Sequence, residues 1–271
     1  MKKVTAALAI ATAILFAGGW NTAMATPSTH IWSVSTDVQA YGVFHLTSDM
    51  YIPADKDKDA NDNPIARPNT VTNLGLTVGV LPYEKINLEV GFDHIAGYGD
   101  LDAYPMYYNA KLGIPENAFG EFFPALAVGG YMIGTKSGGE SRAGQTAKLG
   151  TDYNIYYAKA AKTIGPVGRL SAGYYTGNDK LLVDENGKSD GSGVLLCWER
   201  TMSEISENLW LAVDYMGGKN SYGALSYGFS WKFAPNTSVI FAYVDQLNDK
   251  LIGVTDWVTV QVDIDFNVFG K

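Results

Sequence analysis

The stretch from Trp257 to Phe269 constrains this chain most. Val258, Val260, Val262, Ile264, Phe266 and Val268 fall on one parity, and Thr259, Gln261, Asp263, Asp265 and Asn267 on the other. Side chains alternate across a strand, so this is an unbroken apolar face backed by a polar one. A tilted strand of roughly 9–11 residues crosses a membrane, and the stretch is long enough for that. A half-buried strand of a soluble sheet carries the same pattern, so the rest of the chain has to decide.

Eleven more stretches alternate. The first is expected from Ile31 to Leu46, with Val34, Val38, Ala40, Phe44 and Leu46 opposite Ser33, Ser35, Asp37, Gln39 and His45. Thr72 to Val80 and Ile86 to Phe92 flank a turn at Pro82-Tyr83-Glu84-Lys85, which predicts a hairpin. Then come Tyr104 to Leu112 and Phe122 to Thr135, the latter with Leu126, Val128 and Met132 on one side. Asp152 to Lys162 has tyrosines on both parities; Val167 to Gly177 follows the Gly165-Pro166 turn. Four stretches, around Leu196, Val213, Phe229 and Phe241, precede the last. Polar loops are expected at Ser48 to Asn69, Lys136 to Gly150 and Asn178 to Ser192. No helix-period segment exceeds a turn or two after the leader.

The first 25 residues read as a cleaved secretory signal. Lys2 and Lys3 precede an apolar run from Thr5 to Phe16, and Ala23-Met24-Ala25 is a small-x-small cleavage site. The run is too short for a spanning helix, which needs roughly 20 residues. Residues 26–271 then form one barrel domain. The chain has 20 basic against 28 acidic residues, two of the basic ones in the leader. An acidic, exported chain is a poor nucleic-acid binder. Cys197 is the sole cysteine, so no intramolecular disulfide forms, and no CxxCH motif is present to attach a haem. No cofactor is expected.

Twelve is an even number, as both termini on one side of a membrane require. With the N-terminus inside, the three long loops are connectors one, five and seven and face out. The short turns at Pro82, Gly165 and Pro235 are connectors two, six and ten and face in. Unpaired backbone groups are not tolerated in hydrocarbon, so a spanning sheet has to close. The expected fold is therefore all-β, a closed antiparallel up-and-down transmembrane barrel of 12 strands. Tyr104, Trp198, Trp231, Phe233 and Trp257, near strand ends, suit the interfacial aromatic girdles. The chain resembles the outer-membrane β-barrel proteins of Gram-negative bacteria, including small porin-like channels. The alternating last strand with Phe266 looks like that family's assembly signal, although the chain ends Phe269-Gly270-Lys271 rather than on an aromatic residue. The resemblance implies outer-membrane lipid and the barrel assembly machinery as partners. Nothing in the sequence marks an oligomer interface.

Inward-facing polar residues are the candidate pore lining. They are the acids Asp37, Glu89, Asp93, Glu199, Asp214, Asp263 and Asp265, the bases Lys111, Arg169 and Lys232, and the amide Asn109. As rings in a water-filled lumen they set ion preference; seven acids against three bases give a weak cation preference. The same groups suit a salt-bridge network that fills a narrow lumen, because small barrels are filled by side chains. The expected function is a narrow pore for passive diffusion of small hydrophilic solutes or ions. The alternatives are a non-conducting barrel that anchors a partner and a membrane-embedded enzyme acting on lipid. The last lacks support: His30, His45 and His94 are scattered and no His-x-Ser pair exists. No catalytic or metal-ligating set stands out. The loop from Asp55 to Asp62 lacks the Gly and Glu of a calcium loop. Beside Glu199 on the same face, the Cys197 thiol is expected to be inert.

Overall fold

A computed structural model of the chain describes residues 29–54, 68–138, 140–141, 148–248, 251 and 256–267. The leader, the Asp55-to-Asp62 loop and the terminal Phe269-Gly270-Lys271 lie outside the described residues. The strands are β1 (Val43–Pro53), β2 (Val71–Gly79), β3 (Asn87–Ala96), β4 (Met106–Ile114), β5 (Ala125–Gly134), β6 (Glu140–Ser141), β7 (Lys148–Leu149), β8 (Asp152–Ile164), β9 (Gly168–Thr176), β10 (Ser192–Thr201), β11 (Leu209–Met216), β12 (Ala224–Ala234), β13 (Thr237–Gln246) and β14 (Asp256–Asn267). Twelve close into an antiparallel barrel, each paired with its chain neighbour and β1 with β14; β6 and β7 form a small ribbon in the connector after β5.

The alternating last stretch makes the closure. β14 pairs along the whole of β1, from Val43 opposite Asn267 to Pro53 opposite Trp257, so no edge is left to solvate in hydrocarbon. Short connectors at residues 80–86, 165–167 and 235–236 share one end, here the turn end, with the longer 115–124 and 202–208. The connector parity expected from the sequence therefore holds. The first wall strand starts and the last one finishes at the turn end.

The wall is apolar outside. Leu74, Phe92, Leu112, Val128, Leu196, Phe229, Phe241 and Val258 are exposed, whereas Glu89, Lys111, Arg169, Glu199, Asp214 and Thr259 are buried inside. This reverses the arrangement of a soluble barrel. No helix among the described residues is long and apolar enough to cross a membrane; the strands do the crossing. Leu196 stands at the middle of β10 and is 46% exposed. Leu196→Arg is expected to cost about 2–4 kcal/mol of folding stability in lipid vesicles, the midplane penalty for a charge on a barrel's lipid face. Urea titration of the folded fraction reads this, and an unchanged midpoint would remove the membrane assignment.

Three expectations are corrected. The first strand does not begin at Ile31. Residues 29–40 lie inside the barrel, and the wall starts at Val43 and continues through Pro53, across six positions assigned to a polar loop. The strand slides by several residues while the count stays at twelve. Ile31, Ser33, Val34, Ser35, Thr36 and Gln39 are all buried, so both parities of the segment are enclosed and neither meets lipid. Trp257 does not join an outer girdle. It shares the parity of Thr259, turns inward and packs edge-on against Tyr51. Met132 does not share the outer face of Leu126 and Val128. It has a φ of 54°, the ladder to β8 skips at that position, and the side chain is buried. Against β4, Tyr131 and Met132 together oppose Asn109, and this extra residue re-aims the side chain, as a β-bulge does.

Candidate functional site

The charges inside the wall converge on the segment at residues 29–40, a plug. The chain leaves the wall at the turn end, where Gly79 permits its passage: a Cβ there would run into the carbonyls of Gln39 and Ala40. The plug climbs the lumen and folds back in a tight tip. Thr29 pairs with Val34 across it, and the His30 N–H donates to Ser33 O at 2.9 Å. Without ladder partners its backbone must find side chains, since buried N–H and C=O groups are costly unpaired.

The wall supplies them. At the tip, the Asp214 carboxylate accepts from the N–H groups of Ile31 (2.8 Å), Trp32 (3.1 Å) and Ser33 (3.1 Å), and from the Ser226 hydroxyl (3.2 Å). Gln261 Nε2 donates to Ile31 O at 2.8 Å. Lower, Lys159 Nζ donates to Val34 O at 2.7 Å and lies 3.4 Å from His30 Nδ1. His30 Nε2 is 3.3 Å from Glu199, whose other oxygen accepts from Trp210 Nε1 at 3.1 Å. Arg169 spans Asp37 (2.7 Å), Thr36 Oγ1 (2.7 Å) and Glu199 (3.4 Å). Lys111 Nζ donates to Asp37 O at 2.6 Å and pairs with Glu89 at 3.1 Å, and Glu89 accepts from the Gln39 N–H at 2.8 Å.

Below this network the connector residue Glu116 lies 3.8 Å from Arg169. Partial burial pushes its carboxyl up. The Thr163 N–H and hydroxyl, both at 2.9 Å, and the Lys162 ammonium at 3.1 Å outweigh that and hold it below the usual range.

Of the residues expected to line a pore, Asp37, Glu89, Lys111, Arg169, Glu199 and Asp214 therefore anchor or form the plug. Asp37 belongs to the plug itself and not to a wall strand. Asp263 and Asp265 pair with His45 at 3.2 and 2.7 Å near the turn end. Lys232 stays apart, half-buried beside the irregular turn end of β12. Asp93 and Asn109 face a different space.

That space is a pair of adjoining cavities between the plug and the wall, mostly of β1 to β5. An upper cavity of about 140 Å³ and a lower one of about 90 Å³ share Thr29, Asp49, Asn73, Asp93 and Tyr131 in their linings. The upper one is ringed by aromatic side chains, Trp32, Tyr51, Tyr98, Tyr222 and Trp257 among them. The lower one is polar, with His45, Thr47, Thr77, Glu89, Asn109 and Lys111. Where the two linings meet, Asp49 accepts from the Thr47 hydroxyl (2.6 Å) and Asn73 (3.1 Å), and Asp93 from Asn73 (3.1 Å) and Asn109 (2.8 Å). These partners are all neutral.

Sequence reasoning missed Asp49, Lys159 and the plug's own donors. Asp49 was hidden in the stretch assigned to a loop. Lys159 was hidden by the ambiguous parity of a tyrosine-rich strand. Its spacing from Tyr157 and Ala161, with exposed Tyr156 on the other parity, was the signal available.

No family model matches the chain, and no curated protein matches it in sequence. Among solved structures it is similar in shape to the COG4313 outer membrane channel from Pseudomonas putida F1, at 14% identity and a TM-score of 0.48, covering 90% of this chain and 100% of that one. It is similar to OmpF of Salmonella typhi, solved with daunomycin, at 8% identity and a TM-score of 0.39, covering 83% of this chain and 97% of that one. A mutant Rh. blastica porin aligns at 13% identity and a TM-score of 0.35, over 83% of this chain and 74% of that one. With its closed wall, apolar outer belt and polar lumen, the chain has the architecture of a twelve-stranded, membrane-spanning β-barrel.

Proposed function

We propose that the barrel is a narrow channel of a bacterial outer membrane, passing small hydrophilic solutes and ions with a preference for cations. The observation that carries this reading is the pair of adjoining cavities beside the plug, with Asp49 and Asp93 in both linings and only neutral groups bonded to them. Neither carboxyl is hydrogen-bonded to a cationic side chain. Of the three bases expected to weaken the cation preference, Arg169 is paired with Asp37 and Glu199, Lys111 with Glu89, and Lys232 lies apart at the turn end of β12.

Planar-bilayer recording under a potassium chloride gradient tests the proposal. Small, cation-selective steps are expected. A unit charge about 5 Å from a passing ion in water interacts by roughly 0.8 kcal/mol, about fourfold in relative occupancy. Asp49→Asn with Asp93→Asn is therefore expected to lower the cation-to-anion permeability ratio several-fold. Anion-selective steps in the unaltered protein would overturn the cation preference.

A second reading has its own support. The plug sits in the lumen and is bonded at both ends, which suits a barrel that does not conduct at rest. Absence of steps at every voltage in the unaltered protein would favour it.

A further inference from the structure

We infer that the upper cavity binds a small organic ammonium ion, its alkylated head group seated against Trp32, Tyr51 and Trp257 and its charge facing Asp49 and Asp93. The inference rests on the channel reading for its purpose, since a site in the path of a permeant selects what enters.

Ring geometry is the first support. Trp32 meets Tyr51 at 5.5 Å and 87°, and Tyr51 meets Trp257 at 6.5 Å and 86°. Rings set edge to face around a void present π-faces on several sides, the arrangement that attracts a cation of low hydration. Charge is the second. Asp49 is 8% exposed and both its bonds are to neutral groups. A buried carboxylate without a cation is costly, and the upper cavity's own lining holds no Lys, Arg or His; His45 and Lys111 line only the lower one.

The third support is a pair of orphaned polar atoms in the same lining. Trp257 is 7% exposed and its Nε1–H has no partner among the described residues; Asn73 Oδ1 has none either. A ligand carrying a hydroxyl beside its ammonium group offers an acceptor to the first and a donor to the second. The other candidate occupant is a hard metal ion. Such an ion needs six or more oxygens, and these walls are mostly aromatic and aliphatic. No cluster of three metal-ligating side chains occurs among the described residues. Size sets the upper limit: about 140 Å³ is well below the roughly 300–1,000 Å³ of drug-sized pockets, so the cavity suits a compact head group and not a drug-sized ligand.

Calorimetric titration of the full-length protein folded in detergent tests the site with two probes of one shape. Choline carries the positive charge; 3,3-dimethylbutan-1-ol replaces its nitrogen by carbon. Choline is expected to bind at least about tenfold more tightly, the scale of a desolvated cation–π contact. Asp49→Asn, verified as folded by its heat-modifiable migration, is expected to weaken choline several-fold and leave the alcohol unchanged. Equal binding of both probes to the unaltered protein, or binding of neither, overturns the inference, and that comparison needs no variant. Choline preference without potassium conductance would sink the channel reading and leave the site standing. Conductance without choline preference does the reverse.

Discussion

Asp214→Ala is expected to release the tip of the plug. One buried carboxylate holds three consecutive amides, those of Ile31, Trp32 and Ser33. Hydrogen bonds to a charged group contribute about 1.5–3 kcal/mol each. They share one acceptor and will not add, but even a single such term speeds local opening by about 10- to 100-fold. Hydrogen exchange of the peptide spanning residues 29–36 should accelerate by at least that factor, while strand amides of β9 and β10 hold their protection. Conductance should rise in step, since the tip stands where the upper cavity meets the lumen centre. Asp214→Asn keeps one oxygen acceptor and should fall between the two. Unchanged exchange in the alanine variant would mean that Gln261 and the lower network hold the plug without Asp214.

The wall was legible in the sequence because lipid outside and a polar lumen inside impose a period of two, and β14, β12 and the β2–β3 hairpin carry it without interruption. The plug was not. Residues 31–40 have the same alternation, yet alternation only says that two faces differ, and inside a barrel both faces are enclosed. What separates the segment from a strand is where its amides go, to Asp214 and Glu89 instead of a ladder, and a hydropathy pattern does not encode that. The inward charges were found by parity, but their role depends on the plug. Arg169, Glu199 and Lys111 read equally well as a pore ring or as a packed network until Asp37 is placed 2.7 Å from Arg169. Asp49 escaped because Ser48–Pro53 was assigned to a polar loop, although Thr47, Asp49 and Tyr51 face the lumen in strict alternation.

Arg169→Met is expected to be among the most damaging single changes at the turn end. Arg169 is 5% exposed and bonds Asp37 and Thr36 from the plug together with Glu199 from β10. Methionine fills much of the same volume, so the packing loss is small and the electrostatic loss is isolated. Three carboxylates, Asp37, Glu199 and Glu116, then share one cation fewer. Breaking a buried ion pair from one side costs about 3–5 kcal/mol. At a urea dependence of about 1–3 kcal/mol per molar, the unfolding midpoint in vesicles should drop by at least ~1 M. Arg169→Lys keeps the charge and loses the fork that reaches Asp37 and Thr36 at once, so it should recover only part of the loss. Adding Asp37→Asn to the methionine variant removes one stranded charge, and the pair should cost less than the two single changes summed. An additive double variant would mean that Arg169 and Asp37 act separately, and the plug would then be held from the turn end by Lys111 and Glu89 alone.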